Sequence, residues 1–417
     1  MPSSPYREGE LTMNVMSQLP ASFPTSRERE RRYSAIRSEM KKRSLDCLII
    51  AGFSGRWNMM NANVRYVSNY SDNLSTVSYV VLPLDGDGTY ITQMMVKQSL
   101  ASTSWIKDIR PFSTRNAKVM IERIRQLGLQ EGHIGLIGAG YRSAEVVGMP
   151  YNVYLELVSA YPGARFTDET DMFTSLRYVK SEEEIELLRL STEICDNTFE
   201  DMLKLTKPGM KENEWFAELQ RVTYYNGAEQ PYFIIGTSGP MPTKSPEFFK
   251  NDSVFTSRAL NKGDVILSEF SPNCGGYMAQ TLQLISIGRA HRDVENIVRC
   301  SLEVYKKLIP ELKPGHTNES FLKKAAGIAE GYRSELGDNI QALTPIVHGV
   351  GLTAPEPTLG EGHDVGEFKS GMVMMLELGP RSQRPAYTWL GTPFVITENG
   401  PKSLTRIPFE DRALAVV

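Results

Sequence analysis

Apolar positions along the chain follow two different periods, and the switch between them marks out the elements. Arg29 to Ser44 is strongly charged, with Tyr33, Ile36, Met40 and then Leu45 at helical spacing, which predicts an amphipathic surface helix. Cys47-Leu48-Ile49-Ile50 follows as a continuous apolar run ended by Gly52, the pattern of a buried strand. Ser78 to Leu84 and Thr89 to Thr92 flank Asp85-Gly86-Asp87-Gly88 and predict a hairpin with a glycine-rich turn. Ala117 to Leu127 reads as a helix, and His133 to Ile137 as a short strand. Residues 28–174 thus alternate strands and helices as an α/β domain does. Residues 1–27, rich in Ser and Pro, read as a flexible arm.

The character changes at Arg177-Tyr178-Val179-Lys180, and a second domain is expected over 175–417. Ser181 with Glu184 has the spacing of a capping box, in which the serine caps a backbone N–H and the glutamate reaches back. The amphipathic helix behind it carries Ile185, Leu188, Ile194, Cys195, Phe199 and Met202. Lys207-Pro208-Gly209 with Glu214 is echoed by Lys313-Pro314-Gly315 with Glu319. Long helices over 181–204 and 292–309 precede the two copies, and further helices over 212–226 and 318–336 follow them. A repeated helix–turn–helix predicts an α+β domain with pseudo-twofold symmetry, able to hold a site between its halves.

Composition narrows the function. The 417 residues hold 46 basic and 49 acidic side chains, a net charge of -3, with 41% hydrophobic content. Such a balance gives no strong field of either sign, and no basic run interleaves with aromatics, so nucleic acid is not an expected partner. Cys47, Cys195, Cys274 and Cys300 form no CxxC pair and no zinc-finger spacing with histidine, and read as buried thiols of a reducing compartment. No apolar run is long enough to span a bilayer, and Met1 to Pro24 lacks the apolar stretch of a secretory signal. A cytoplasmic protein that meets no membrane is expected.

Three segments carry candidate chemistry. Gly263 to Gln280 reads as strand, Gly275-Gly276 turn, strand, with Glu269 an acid on an otherwise apolar run. Gly371 to Pro380 places Glu377 in a strand that is apolar on both faces. A buried carboxylate is costly unless partnered, and its pKa rises. His348, one of five histidines, follows Ile346-Val347 and precedes Gly349 and Gly351, with Glu356 shortly after. The plain alternatives are a solvated strand position for Glu269, a core histidine for His348 and a structural ion pair for Glu377. Together the three suit an acid/base cluster.

In order along the chain, "NVRYVSNY" at 63–70, "RYVKSEEEIELLR" at 177–189, the two "KPG" turns, "NKGD" at 261–264, "HGVGL" at 348–352, "GMVMMLELGP" at 371–380 and "VITENGPKSLT" at 395–405 resemble the creatinase/aminopeptidase P/prolidase family. The resemblance covers residues 28–417 and implies an α/β N-terminal domain plus an α+β pita-bread C-terminal domain with pseudo-twofold symmetry. The family's peptidases use two Asp, one His and two Glu to hold two metals. Carried onto this chain, those positions fall on Glu269, Gln280, His348, Glu377 and Gly391. An amide and a glycine in that set imply a lost metal centre and no cofactor, as in the creatinase and ectoine hydrolase branch. Two further positions of creatinase fall near Asp252 and Leu282, where this chain departs from it.

The resemblance therefore implies a metal-independent hydrolase of a non-peptide C–N bond in a small polar nitrogen compound. Glu269, His348 and Glu377 are its catalytic residues, and Arg65, Tyr277, Gln280, Glu356 and Asp252 its substrate contacts. A metal-dependent Xaa-Pro peptidase, a lyase on a small zwitterion and a non-catalytic binding protein are the alternatives. The family also implies a homodimer with a composite active site. Asn63 to Asp72, with Arg65, Tyr66 and Tyr70 after Trp57, is then a loop reaching the partner's site.

Overall fold

The computed structural model describes residues 23–54, 59–70, 76–93, 103–111, 117–139, 148–229, 234–240, 256–336, 340–354, 356, 366–382 and 388–417. The chain forms two compact units, one of Pro24–Ile185 with His348–Met374 and one of Glu186–Val347 with Met375–Val417.

The first unit runs α1 (Ser26–Lys42), β1 (Cys47–Phe53), α2 (Ala62–Ser68), β2 (Val77–Pro83), β3 (Thr89–Thr92), β4 (Asp108–Pro111), α3 (Lys118–Gln126), β5 (His133–Ile137), α4 (Tyr151–Ala160), β6 (Arg165–Asp168) and α5 (Thr170–Ser175). Its six strands lie in the order β4-β3-β2-β1-β5-β6. The β2–β3 hairpin pairs Val81 with Thr89, and β1 runs parallel to β5. Ile49, Val81 and Ile134 from the sheet pack against Met120, Ile124, Val153 and Leu157 from α3 and α4, which is the apolar stripe that the helical period predicts.

The segment expected as a loop over 63–70 is helical instead. Residues 62–68 form α2, and Asn69, at φ 55, ends it in the left-handed conformation. Burial explains the difference: Tyr66 is wholly buried, edge-on to Phe173 at 5.9 Å and beneath the Arg32 guanidinium at 4.5 Å. Tyr70 is buried against Tyr90. Both rings are core of this unit, not an exposed clamp. Trp57 and Asp72 lie outside the described residues.

The second unit carries α6 (Glu182–Leu205, begun at the division), α7 (Glu212–Tyr225), β7 (Ile234–Gly239), β8 (Val265–Phe270), β9 (Asn273–Cys274), β10 (Tyr277–Met278), β11 (Thr281–Ser286), α8 (Arg292–Leu308), α9 (Asn318–Glu330), β12 (Ile340–Gly349), β13 (Val373–Ser382), β14 (Leu390–Thr397), β15 (Gly400–Ser403), α10 (Phe409–Ala413) and β16 (Ala415–Val416). The main strand order is β12-β13-β14-β11-β8-β7. His348 and Gly349 at the end of β12, and Val373 and Met374 at the start of β13, are counted with the first unit. The repeat is realised: α6–α7 and α8–α9 turn at Gly209 and Gly315, whose φ values of 85 and 84 suit glycine in both copies. The helix expected over 318–336 stops at Glu330, where Gly331 caps it, and a 3-10 turn covers Arg333–Glu335. Among the described residues no helix is long and apolar enough to cross a membrane.

Candidate active site

The candidate site is built on the central strands of the second unit. All six residues of β8 are buried, as befits a strand with β7 and β11 on either side. Glu269 stands opposite Leu282 on β11, and Leu282 opposite Gly391 on β14. Directly opposed residues project to the same face, so Glu269, Leu282 and Gly391 form one row across three strands. Gln280, just ahead of β11, reaches to both acids. Its Nε2 donates to Glu269 Oε1 and, at 3.1 Å, to Glu377 Oε1 on β13. Glu269 and Glu377 are each 6% exposed and Gln280 4%, so the amide is a buried bridge between two carboxyl groups.

Burial pushes the Glu269 carboxyl well above the usual carboxylate range, and the nearby negative charge of Glu377 pushes it further. The Gln280 amide pulls the other way without cancelling the rise. Burial and the Glu377 charge both favour a proton on Glu269. Two supports were not legible beforehand. Trp389 Nε1 donates to Glu377 Oε2 at 2.8 Å. Tyr305 on α8 donates its hydroxyl to Leu376 O at 3.2 Å and Thr392 O at 3.4 Å, pinning β13 and β14 beside Glu377 and Gly391. Burial raises the Tyr305 pKa, so the phenol stays a donor. Trp389 had one sequence signal, a rare tryptophan two residues before the glycine at the vacated acid position.

The structure thus brings Glu269, Gln280 and Glu377 together. Tyr277 on β10 is 1% exposed, and its carbonyl accepts from Ser191 Oγ at 2.6 Å, which makes it a buried anchor of the turn rather than an open binding surface. His348, Glu356 and Arg65 belong to the first unit. There His348 is half-buried, with Nδ1 3.0 Å from Gly349 O. Glu356, expected to touch substrate, is 1% exposed in an ion network with Arg177 and Lys180. Arg65 sits half-buried on α2. Asp252 lies outside the described residues.

The two-metal set that the resemblance implies finds a poor fit in these side chains. Bridging two cations takes carboxylates aimed at a shared centre. Here the N–H groups of Gln280 occupy the space between Glu269 and Glu377, and donors repel a cation. Gly391 supplies no ligand, and its surroundings have closed in. A Cβ there would stand 2.8 Å from Met375 Cε and 3.0 Å from both Leu282 Cδ1 and Leu376 O. The residues in place do not fit a metal pair, and no chemical step is derived through one.

Comparison with known proteins places both halves of the chain. Residues 32–179 match the Creatinase/Prolidase N-terminal domain, and residues 186–397 match Metallopeptidase family M24. An Xaa-Pro dipeptidase of Pyrococcus horikoshii is 24% identical over 369 residues, covering 88% of this chain and 94% of that protein. The crystal structure of the prolidase from the same organism superposes with a TM-score of 0.73 at 23% identity, covering 91% of this chain and 99% of the other. An X-Pro aminopeptidase structure from Thermotoga maritima gives a TM-score of 0.70 at 20% identity, covering 89% and 98%. These likenesses confirm the pita-bread architecture and the resemblance to the wider family. They overturn the expected placement in the creatinase and ectoine hydrolase branch, and with it the metal-independent attack on a non-peptide C–N bond. The matched model is of metallopeptidases, and the relatives are named for Xaa-Pro dipeptides.

Proposed function

Because the chain belongs to metallopeptidase family M24, we propose that it hydrolyses the peptide bond of short Xaa-Pro substrates, with Glu269 as its proton-transferring group. The observation that carries the site assignment is the buried Glu269–Gln280–Glu377 arrangement, in which burial and the neighbouring Glu377 raise the pKa of Glu269. Hydrolysis adds water to the carbonyl carbon, breaks the C–N bond and leaves one proton of water on the prolyl nitrogen. A protonated Glu269 delivers a proton to that nitrogen and recovers it from the water; the Gln280 amide fixes the orientation of its carboxyl group. General acid–base transfer of this kind contributes about 10²–10⁴-fold to a rate. His348 is proposed as a second proton carrier on chemical grounds, since imidazole titrates near neutrality. A homodimer is the assembly proposed with this reading; sedimentation velocity checks it, and a fully active monomer removes it.

The test is release of free proline from a panel of Xaa-Pro dipeptides, with and without added manganese or cobalt. The reading expects release in at least one condition. Absence of release in every condition overturns it. A second reading, a pita-bread protein that binds such peptides without cleaving them, is favoured by the amide standing between the carboxyl groups and by Gly391. Thermal stabilisation by the same dipeptides without proline release is its signature.

A further inference from the structure

The first unit contains a second buried carboxylate whose surroundings are unlike those of Glu269. Glu356 lies between two cations: Arg177 Nη2 is 3.4 Å from its Oε2, and Lys180 Nζ is 3.3 Å from its Oε1. Arg177 and Glu356 are each 1% exposed, and the Lys180 side chain is wholly buried. The cations are themselves fixed. Arg177 Nη1 donates to Asn63 Oδ1 at 2.6 Å, and Lys180 Nζ donates at 3.3 Å to the carbonyls of Tyr178 and Glu356. The backbone of Lys180 donates to Gly371 O at 2.9 Å.

From this anchor a short chain of bonds leads to His348. The Glu356 backbone N–H donates to Gly349 O at 2.8 Å. The same carbonyl lies 3.0 Å from His348 Nδ1. A carbonyl oxygen has no hydrogen to give, so the ring nitrogen must donate. In water, neutral histidine favours a proton on Nε2; here the bond to Gly349 O selects the opposite tautomer and leaves Nε2 as the basic nitrogen.

We propose that Glu356 is a positioning residue: held by Arg177 and Lys180, it fixes the Gly349 carbonyl and thereby keeps His348 in the Nδ1–H tautomer with a basic Nε2. Gly351 belongs to the same device. A Cβ at that position would lie 2.8 Å from Glu356 Cδ and 3.0 Å from Lys180 Cε, so only glycine leaves the carboxylate its seat. The consequence for proton transfer rests on the peptidase reading, but the tautomer does not, and it is measured without turnover.

The experiment is long-range proton–nitrogen correlation of the full chain labelled with ¹⁵N-histidine, at about pH 8.5, where an ordinary imidazole is neutral. His348 is assigned by the signals lost in His348→Gln. The wild type is expected to show a protonated Nδ1 and an unprotonated Nε2. Glu356→Gln, which removes the charge that Arg177 and Lys180 hold while keeping side-chain shape, loosens residue 356 and with it the N–H that fixes the Gly349 carbonyl, and is expected to shift His348 toward the Nε2–H pattern while His133, His291 and His316 stay unchanged. Gly351→Ala, which displaces the carboxylate without removing it, is expected to do the same and serves if Glu356→Gln fails to fold. An Nε2–H pattern in the wild type, or a folded Glu356→Gln with the wild-type His348 pattern, overturns the proposal. Absence of proline release by the wild type, with the tautomer shift still seen in the variants, counts against the peptidase reading alone.

Discussion

The two buried carboxylate clusters solve opposite problems. In the first unit, one acid, Glu356, sits between Arg177 and Lys180, so its charge is compensated and the arrangement is a brace. In the second, two acids, Glu269 and Glu377, share one neutral amide, so their charges are not compensated and the pKa of Glu269 is pushed up. A carboxylate flanked by two cations is braced in place, whereas two carboxyl groups held against one amide repel, and that repulsion favours a proton on Glu269. Burial alone does not separate structure from chemistry here, since all of these groups are nearly inaccessible; the sign and number of the partners do.

The sharpest way to break the comparison is to remove one acid from each cluster. Glu356→Gln leaves two buried cations without their anion, and the loss expected is about 3–5 kcal/mol, the usual cost of breaking a buried pair from one side. Urea unfolding measures it. Glu269→Gln removes an acid whose pKa is already raised, leaves no buried cation unpaired, and is expected to cost far less. Equal losses in the two variants would erase the distinction.

Next in size is Gly391→Ala. A methyl group there meets Met375 Cε, Leu282 Cδ1 and Leu376 O, and overpacking of this kind costs about 1–3 kcal/mol. A variant as stable as the parent would show that the vacated ligand position is still open.

The smallest effect is a pH dependence, and its sign follows from the raised pKa of Glu269. Because the folded-state value lies above the ordinary 4.5, the stability that this carboxyl contributes is fully present below 4.5 and is lost as pH rises through the folded value. Glu269→Gln has no such group to ionise. Its stability relative to the wild type is therefore expected to grow with pH, by at most about 1.4 kcal/mol per unit. Urea melts from about pH 5 to about pH 8 read the slope, and a difference that shrinks with pH would place the proton elsewhere.

Much of the fold was written locally. Ser181 with Glu184 spelled a capping box, and both of its bonds form, at 2.8 and 3.2 Å. The two Lys-Pro-Gly turns carry the same left-handed glycine. Lone glutamates on apolar strands marked Glu269 and Glu377 as buried acids. What stayed hidden depends on side chains meeting across long stretches of chain. The Gln280 amide spans 97 residues to Glu377, and nothing in the spacing tells an amide that bridges from one that is merely solvated. Glu356 looked like a substrate contact because its partners, 176 residues away at Lys180, are invisible in a local motif. The polar text of Asn63 to Tyr70 suggested a loop, yet burial of Tyr66 against Phe173 made it a helix. The altered ligand positions pointed to the creatinase branch, but relatedness along both domains is a property of the entire chain and outweighs a few exchanged side chains.

The most direct test of the central claim compares proline release by the wild type and by folded Glu269→Gln on the same Xaa-Pro dipeptide, at one pH and with the same added metal. If Glu269 moves the proton, the wild type releases proline and the variant is slower by about 10²–10⁴-fold. A Glu269→Gln protein that turns over at the wild-type rate would contradict the account.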